Sequence, residues 1–344
     1  MRILHVMAGK GNGGAELYST DVMLSLHEAG VDQCVVMRPD APRTADLISA
    51  GLRVDTKVLQ IPFRPLQRLR MRQLIANEQP NIIQCWMRRA VSLVPAEARS
   101  KAEVIGWFGD YEELKYFAHC TKFVGVTRDL VRHMVENGVP AENAAYIPTF
   151  PTVDDGAAID RAVLDTPADA PVLLTLSRLH PVKGLDTMLQ ALADLPGYYL
   201  WVAGDGPSLG ALQAQAERLG VASRVRFLGW RTDRGALLRA ADICVLPSRY
   251  EPFGTVILDS WSTHTAFVAC NSDGPAAYVH HELDGMLVPI NDPTALADAI
   301  RRVMNNPTLR QNLIRQGFAN YQAEFTKHAV TAKYVAYYES LLNR

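Results

Sequence analysis

The chain has 344 residues, with 35 Lys and Arg against 36 Asp and Glu, and 48% of it is hydrophobic. That length and apolar fraction suffice for two domains with separate cores, while a formal net charge of -1 excludes a bulk basic surface and leaves no footprint for nucleic acid. Cys34, Cys85, Cys120, Cys244 and Cys270 are odd in number, widely spaced and never arranged as Cys-x-x-Cys, so neither a disulfide framework nor a zinc site is expected and a reducing cytoplasm is the simplest setting.

Taken in chain order, short runs rich in β-branched and large apolar residues alternate with longer segments of helical period, the pattern of βα units in parallel sheets. In the first half the pattern predicts strands over 2–7, 33–37, 82–85, 103–107 and 122–126, with helices near 15–29, 67–78 and 128–137. No apolar run reaches the roughly 18 residues of a spanning helix, and the opening Met1 to Met7 runs into glycines instead of a long signal core, which predicts a soluble protein that leaves surface attachment to a membrane open. A connector follows around residues 150 to 170, where Pro148, Pro151, Pro167 and Pro171 deny helices and central strands their amide donors. The rhythm then restarts, with strands over 172–176, 199–203, 225–228, 243–246 and 267–269 and helices near 185–195, 208–219, 234–240, 256–263 and 294–304. Residues 327–342 carry a helical apolar face of Ala329, Val330, Tyr334, Val335, Tyr338 and Leu341 that must pack on something. The reading is two doubly wound α/β domains facing a cleft, 1–155 and 156–325, plus a C-terminal helix over 326–344. In such sheets ligands lie beyond the carboxyl ends of the strands.

Three strand-to-helix loops carry chemistry. The first, Gly9-Lys10-Gly11-Asn12-Gly13-Gly14, lets backbone approach a ligand and offers free amides at a helix start; a phosphate-binding turn and an ordinary tight turn both fit it. The second, Ser177-Arg178-Leu179-His180-Pro181-Val182-Lys183-Gly184, offers a planar fork of donors in Arg178 and a compact charge in Lys183, suited to two phosphates or simply to solvent. The third runs from Pro247 to Asp259. Here Glu251 is placed to accept from sugar hydroxyls and Asp259 from a ribose diol, while the amides near Phe253, Gly254 and Thr255 face phosphate or sugar oxygens. An acidic first turn that only complements the helix dipole is the alternative.

The stretch Glu251-Pro252-Phe253-Gly254-Thr255-Val256-Ile257-Leu258-Asp259 resembles the Glu-x7-Glu motif of retaining family 4 glycosyltransferases with the GT-B fold, the cell-envelope polysaccharide and lipopolysaccharide type. Ser177 to Gly184 resembles their donor-phosphate loop and Gly13-Gly14-Ala15-Glu16 their N-terminal glycine loop. Ala203-Gly204-Asp205-Gly206-Pro207, Phe227-Leu228-Gly229-Trp230 and Asp284 to Pro289 follow in the family's order, so the resemblance spans essentially the whole chain. It implies that Arg178 and Lys183 bind the donor diphosphate, that Glu251 orients the donor sugar and that Asp259 contacts the ribose. It further implies that the loops at Gly204 and at Gly229, Trp230 and Arg231 flank the nucleobase, that Gly13 and Gly14 lie near phosphate and acceptor, and that the last helix returns to the first domain.

Three departures qualify the transfer. Asp259 stands where the family has a second Glu. Where relatives often carry a His after the fifth strand this chain reads Phe108-Gly109-Asp110, so that role is vacant or passes to Asp110; a helix cap before Tyr111 is an equal reading of that Asp. Ala276-Ala277 replace a usual acidic residue. No Asp-x-Asp motif occurs, so neither a metal nor another cofactor is expected, and leaving-group charge falls to Arg178, Lys183 and helix-start amides.

The expected reaction is transfer of a sugar from a nucleotide-diphosphate sugar to a glycan or lipid-linked hydroxyl, with retention. A non-catalytic nucleotide-sugar sensor of the same fold is the competing reading, separated by sugar transfer or donor hydrolysis, and a sugar-nucleotide epimerase or phosphorylase is a third. Residues 60–100 hold seven arginines, Arg64, Arg68, Arg70, Arg72, Arg88, Arg89 and Arg99, against Glu78 and Glu97. Arg64, Arg68 and Arg72 are spaced to form one stripe, which fits either an anionic membrane, on the inner face of the cytoplasmic membrane, or a plain solvated helix face.

Overall fold

The computed structural model describes residues 1–9, 11 and 13–343. The chain divides into two compact units, Met1–Phe150 with Lys327–Arg344, and Pro151–Thr326. Each is a parallel sheet flanked by helices, the Rossmann-like arrangement that the alternating pattern predicts.

In the first unit the strands are β1 (Arg2–Met7), β2 (Asp32–Val36), β3 (Arg53–Asp55), β4 (Ile82–Trp86), β5 (Glu103–Phe108), β6 (Lys122–Gly125) and β7 (Ala144–Tyr146), in the order β3-β2-β1-β4-β5-β6-β7. β1 and β4 are almost wholly buried because helices cover both faces of the sheet, which is why these strands read as continuous apolar runs without alternation. The helix Lys327–Leu342 belongs to this unit. Its Tyr334 and Tyr338 are fully buried, the Tyr338 hydroxyl donates to Gln84 Oε1 at 3.1 Å, and Lys327 pairs with Glu28. In the layer of strands that includes β4, Trp86 Nε1 donates to His5 Nδ1 at 3.2 Å. Full burial holds the His5 imidazole neutral, with its pKa lowered to about 3.

The second unit holds β8 (Val172–Leu176), β9 (Tyr199–Ala203), β10 (Val225–Gly229), β11 (Ile243–Leu246), β12 (Ala266–Cys270) and β13 (Met286–Val288), in the order β10-β9-β8-β11-β12-β13. Its core is built from β8, β9, β11 and β12 with the helices Leu185–Ala193 and Pro293–Asn305. The start of the proline-rich connector is bound to this unit: Asp154 Oδ2 accepts from the Gly235 amide at 2.7 Å, and Arg239 donates to the carbonyls of Asp154 and Gly156, both at 2.6 Å.

Three strands escape the sequence pattern, β3, β7 and β13. Each has three residues and lies at a sheet edge, too short to show a period and paired on one side only. The helix Arg64–Glu78 starts three residues before the predicted position because Pro65 is tolerated in its first turn. Pro307–Asn320, capped by the Asn306 side chain, is a further helix that the pattern does not predict.

Both sheets reverse their strand order once, between β1 and β4 in the first and between β8 and β11 in the second. Loops leaving the carboxyl ends of two strands on either side of such a reversal diverge and leave a crevice, the usual ligand position in open α/β sheets.

Candidate functional site

In the second unit the reversal selects two loops, the one after β8 that carries Arg178 and Lys183 and the one after β11 that carries Glu251. They meet. Lys183 Nζ lies 2.7 Å from Glu251 Oε2, and Ser248 Oγ lies 3.5 Å from the same oxygen. Both charged side chains are largely buried, at 19% and 15% relative exposure, so the pair is shielded well enough for its attraction to exceed that of a surface ion pair. Gly184, at φ +64°, is where the two loops touch by backbone: a Cβ there would lie 2.0 Å from the Pro247 carbonyl oxygen. Lys183 belongs to a 3-10 turn, Pro181–Lys183, with His180 at its N-cap. Arg178, two residues past β8, is exposed, and its side chain has no hydrogen bond or ion pair among the described residues. Ser177 next to it buries an Oγ without a partner.

The loops after β9 and β10 are joined as well, the Gly204 amide donating to the Gly229 carbonyl at 2.7 Å. Gly204 approaches the β8 loop so closely that a Cβ would come within 1.9 Å of the Ser177 oxygen. Trp230 is 57% exposed and presents a free aromatic face, whereas Arg231 is engaged with Asp233 through two hydrogen bonds, the Nε one at 2.8 Å. Gly254, at φ +84°, starts the helix Thr255–Ser262, and Phe253 is buried against the Tyr278 ring, 5.2 Å between centroids. The Tyr278 hydroxyl lies 2.9 Å from the Phe253 carbonyl and 3.0 Å from the Gly254 carbonyl, and the latter also accepts from the Ile257 amide at 2.9 Å.

Asp259 is buried. The expected ribose contact is 1% exposed, with Oδ2 lacking a hydrogen-bond partner and Arg234 Nη1 3.5 Å from it. Burial raises its pKa to about 6, with Arg234 pulling the other way. The helix turns this position inward, toward Arg234.

The remaining candidates lie in the first unit. Gly13 caps the helix Gly14–Glu28, and Gly13 and Gly14 are exposed; Lys10 and Asn12 of the same loop lie outside the described residues. A Cβ on Gly9, Gly11 or Gly13 would come 2.7, 3.2 or 2.9 Å from the Glu16 carboxylate oxygens. The anion at this helix start is therefore a side chain of the same helix, which the loop needs its glycines to admit, and a phosphate there has to compete with it. Asp110 does not cap a helix. It is exposed in the irregular stretch after β5, where its Oδ1 accepts from the Tyr111 amide at 2.8 Å, and the next turn, Leu114–Phe117, begins beyond it.

Residues 157–319 match the family model described as glycosyl transferases group 1. Across 342 residues the chain is 34% identical to the lipopolysaccharide core biosynthesis glycosyltransferase LpsE of Rhizobium meliloti (strain 1021), covering 97% of this chain and 98% of that protein. The chain belongs to the group 1 glycosyltransferases. LpsD of the same strain is 32% identical over 337 residues, 97% of each chain. Among solved structures the Anabaena protein HepE in complex with UDP-glucose superposes with a TM-score of 0.86 at 21% identity, over 99% of this chain and 100% of that one, a likeness of fold. The architecture of this group 1 glycosyltransferase is GT-B, with the last helix packed in the first unit.

Sequence reasoning does not single out Arg249, Asp186 or Glu16, all of which shape these loops. Arg249 lies inside the third loop, but its partner Asp186 is 63 residues away, and no local pattern links the two.

Proposed function

We propose that this chain transfers a sugar from a nucleotide-diphosphate sugar to a hydroxyl of a glycan or lipid-linked acceptor, retaining the anomeric configuration and needing no metal. The second unit takes the donor and the first the acceptor. The observation that carries the reading is the half-buried Lys183–Glu251 pair at the reversal of strand order, with the uncommitted Arg178 on the same loop. A diphosphate arriving there competes with Glu251 for the Lys183 ammonium, and Glu251, so released, accepts from donor-sugar hydroxyls. Breaking the bond from the anomeric carbon to the phosphate oxygen sends the electron pair to the diphosphate, where Arg178, Lys183 and helix-start amides stabilise it. The acceptor oxygen bonds to the same face of that carbon, and its proton goes to the departing phosphate oxygen. Balance is kept without a protein nucleophile. Metal independence is supported by the absence of an Asp-x-Asp motif. The exposed Trp230 face is the proposed stacking surface for the base.

The names of the two relatives support a lipopolysaccharide core acceptor. In this reading the reaction takes place at the inner surface of the cytoplasmic membrane, with the helix Arg64–Glu78 as the lipid contact. No described helix is long and apolar enough to cross a membrane. This one, however, exposes Leu66 and Leu69 at 51% and 48%, preceded by Phe63 at 59%, beside Arg64 and Arg68, which have no acidic partner among the described residues. Apolar side chains flanked by arginines complement an anionic lipid surface.

The test is a thermal-shift panel of UDP-, GDP- and ADP-sugars, then product analysis with the best donor, in EDTA and with anomeric coupling constants read by NMR. Donor binding without transfer or hydrolysis refutes the enzyme, and an inverted product refutes retention. Salt-sensitive co-sedimentation with vesicles containing anionic lipid, lost in Leu66→Asp/Leu69→Asp, tests the membrane contact.

A further inference from the structure

The Lys183–Glu251 pair joins two loops whose charged residues are 68 positions apart. We infer that Arg249 is the positioning residue that holds this pair in register, through a clamp on Asp186 that uses every donor of its guanidinium. A guanidinium has five N–H groups in a fixed plane, and all five are used here. Nη1 donates to the Pro181 carbonyl at 2.6 Å and to Asp186 Oδ1 at 2.7 Å, Nη2 to Asp186 Oδ2 at 2.6 Å and to Thr187 Oγ1 at 3.2 Å, and Nε to Asn291 Oδ1. The Arg249 amide also donates to the Val182 carbonyl at 2.8 Å.

These partners bracket Lys183. Pro181 and Val182 precede it in the same turn, Asp186 and Thr187 open the helix Leu185–Ala193 just after it, and Asn291 comes from the segment after β13. Arg249 itself stands two residues before Glu251. One side chain thus fixes the carriers of both charges, and with no N–H left over it has none to offer a ligand. Pairing with Arg249 holds the Asp186 carboxyl below its ordinary range, so the clamp is charged throughout the neutral region. Lysine in place of arginine keeps the charge but loses the fork and at least two of the five contacts, since an ammonium has three donors.

The inference rests on the reading of Lys183 as the phosphate ligand, and the experiment separates the two. Titration calorimetry of UDP, GDP and ADP selects the tightest nucleotide as probe. Its affinity is then measured in the protein, in Arg249→Lys, in Asp186→Asn as a second, shape-conserving break of the clamp, in Lys183→Ala, and in the two double variants that combine each break with Lys183→Ala. Arg249→Lys and Asp186→Asn are each expected to weaken binding about tenfold when Lys183 is present and less than about twofold when it is absent, the coupling expected of residues that act as one unit. A melting temperature close to that of the parent protein is expected for Asp186→Asn. Equal losses in both backgrounds, or no loss with Lys183 present, overturn the clamp while leaving the Lys183 assignment in place. Unchanged affinity in Lys183→Ala overturns that assignment, and the clamp with it.

Discussion

Asp259→Asn should stabilise the second unit at neutral pH, an unusual direction for a change in a buried core. The carboxyl is 1% exposed on the helix Thr255–Ser262, one of its oxygens has no hydrogen-bond partner, and the one nearby cation among the described residues is Arg234, with Nη1 at 3.5 Å. Burial raises its pKa from 3.8 to about 6. A tenfold change in proton affinity corresponds to about 1.4 kcal/mol, so ionising this group in the folded protein costs about 3 kcal/mol more than in the unfolded chain. Because the folded pKa is the higher one, the native state binds more protons than the unfolded state between roughly pH 4 and pH 6. This contribution is therefore most favourable below pH 4, falls as pH rises through that window and stays flat above it. The amide does not titrate. The stability difference between Asp259→Asn and the parent protein should grow across the window and level off near 3 kcal/mol, less whatever Arg234 loses with its counter-ion. Urea unfolding from pH 4 to 8, followed through the emission of the tryptophans, measures it; Trp261 is on the same helix and 2% exposed. Parallel pH profiles for the two proteins, or a uniform loss in Asp259→Asn, would refute the reasoning.

His5 in the first unit has the opposite sign. Its pKa falls from 6.5 to about 3, so its contribution is complete above pH 6.5 and is lost as pH drops, up to about 5 kcal/mol by pH 3; His5→Gln should flatten the acid limb of the unfolding profile. Lys183→Ala and Arg178→Ala are each expected to lower transfer roughly 100-fold or more, Arg178→Ala with little change in melting temperature and Lys183→Ala with a lower one because it leaves the Glu251 carboxylate buried and unpaired, and full activity in both removes them from the site. Gly204→Ala places a methyl 1.9 Å from the Ser177 oxygen at φ +149° and should cost several kcal/mol, on the order of the largest single-site effects. Gly14→Ala, with nothing within 4 Å and a helical position, should be neutral or stabilising by up to about 1 kcal/mol; paired thermal melts compare the two.

From the sequence alone came the two α/β halves, most central strands and the strand-to-helix loops between them, because each rests on residues adjacent in the chain. Buried parallel strands read as apolar runs, and glycines, prolines and charges mark where those runs end. The edge strands Arg53–Asp55, Ala144–Tyr146 and Met286–Val288 stayed invisible because three residues carry no period. Strand order was decided only in three dimensions: β8 has its successor β9 on one side and the distant β11 on the other, and this brings Lys183 to Glu251 and Arg249 to Asp186. Packing likewise turned Asp259 inward to a raised pKa and filled the first glycine loop with the Glu16 carboxylate. A residue's type limits the chemistry it can do; its neighbours from distant segments set its solvent, its partner and its charge, and those depend on the closure of the whole sheet.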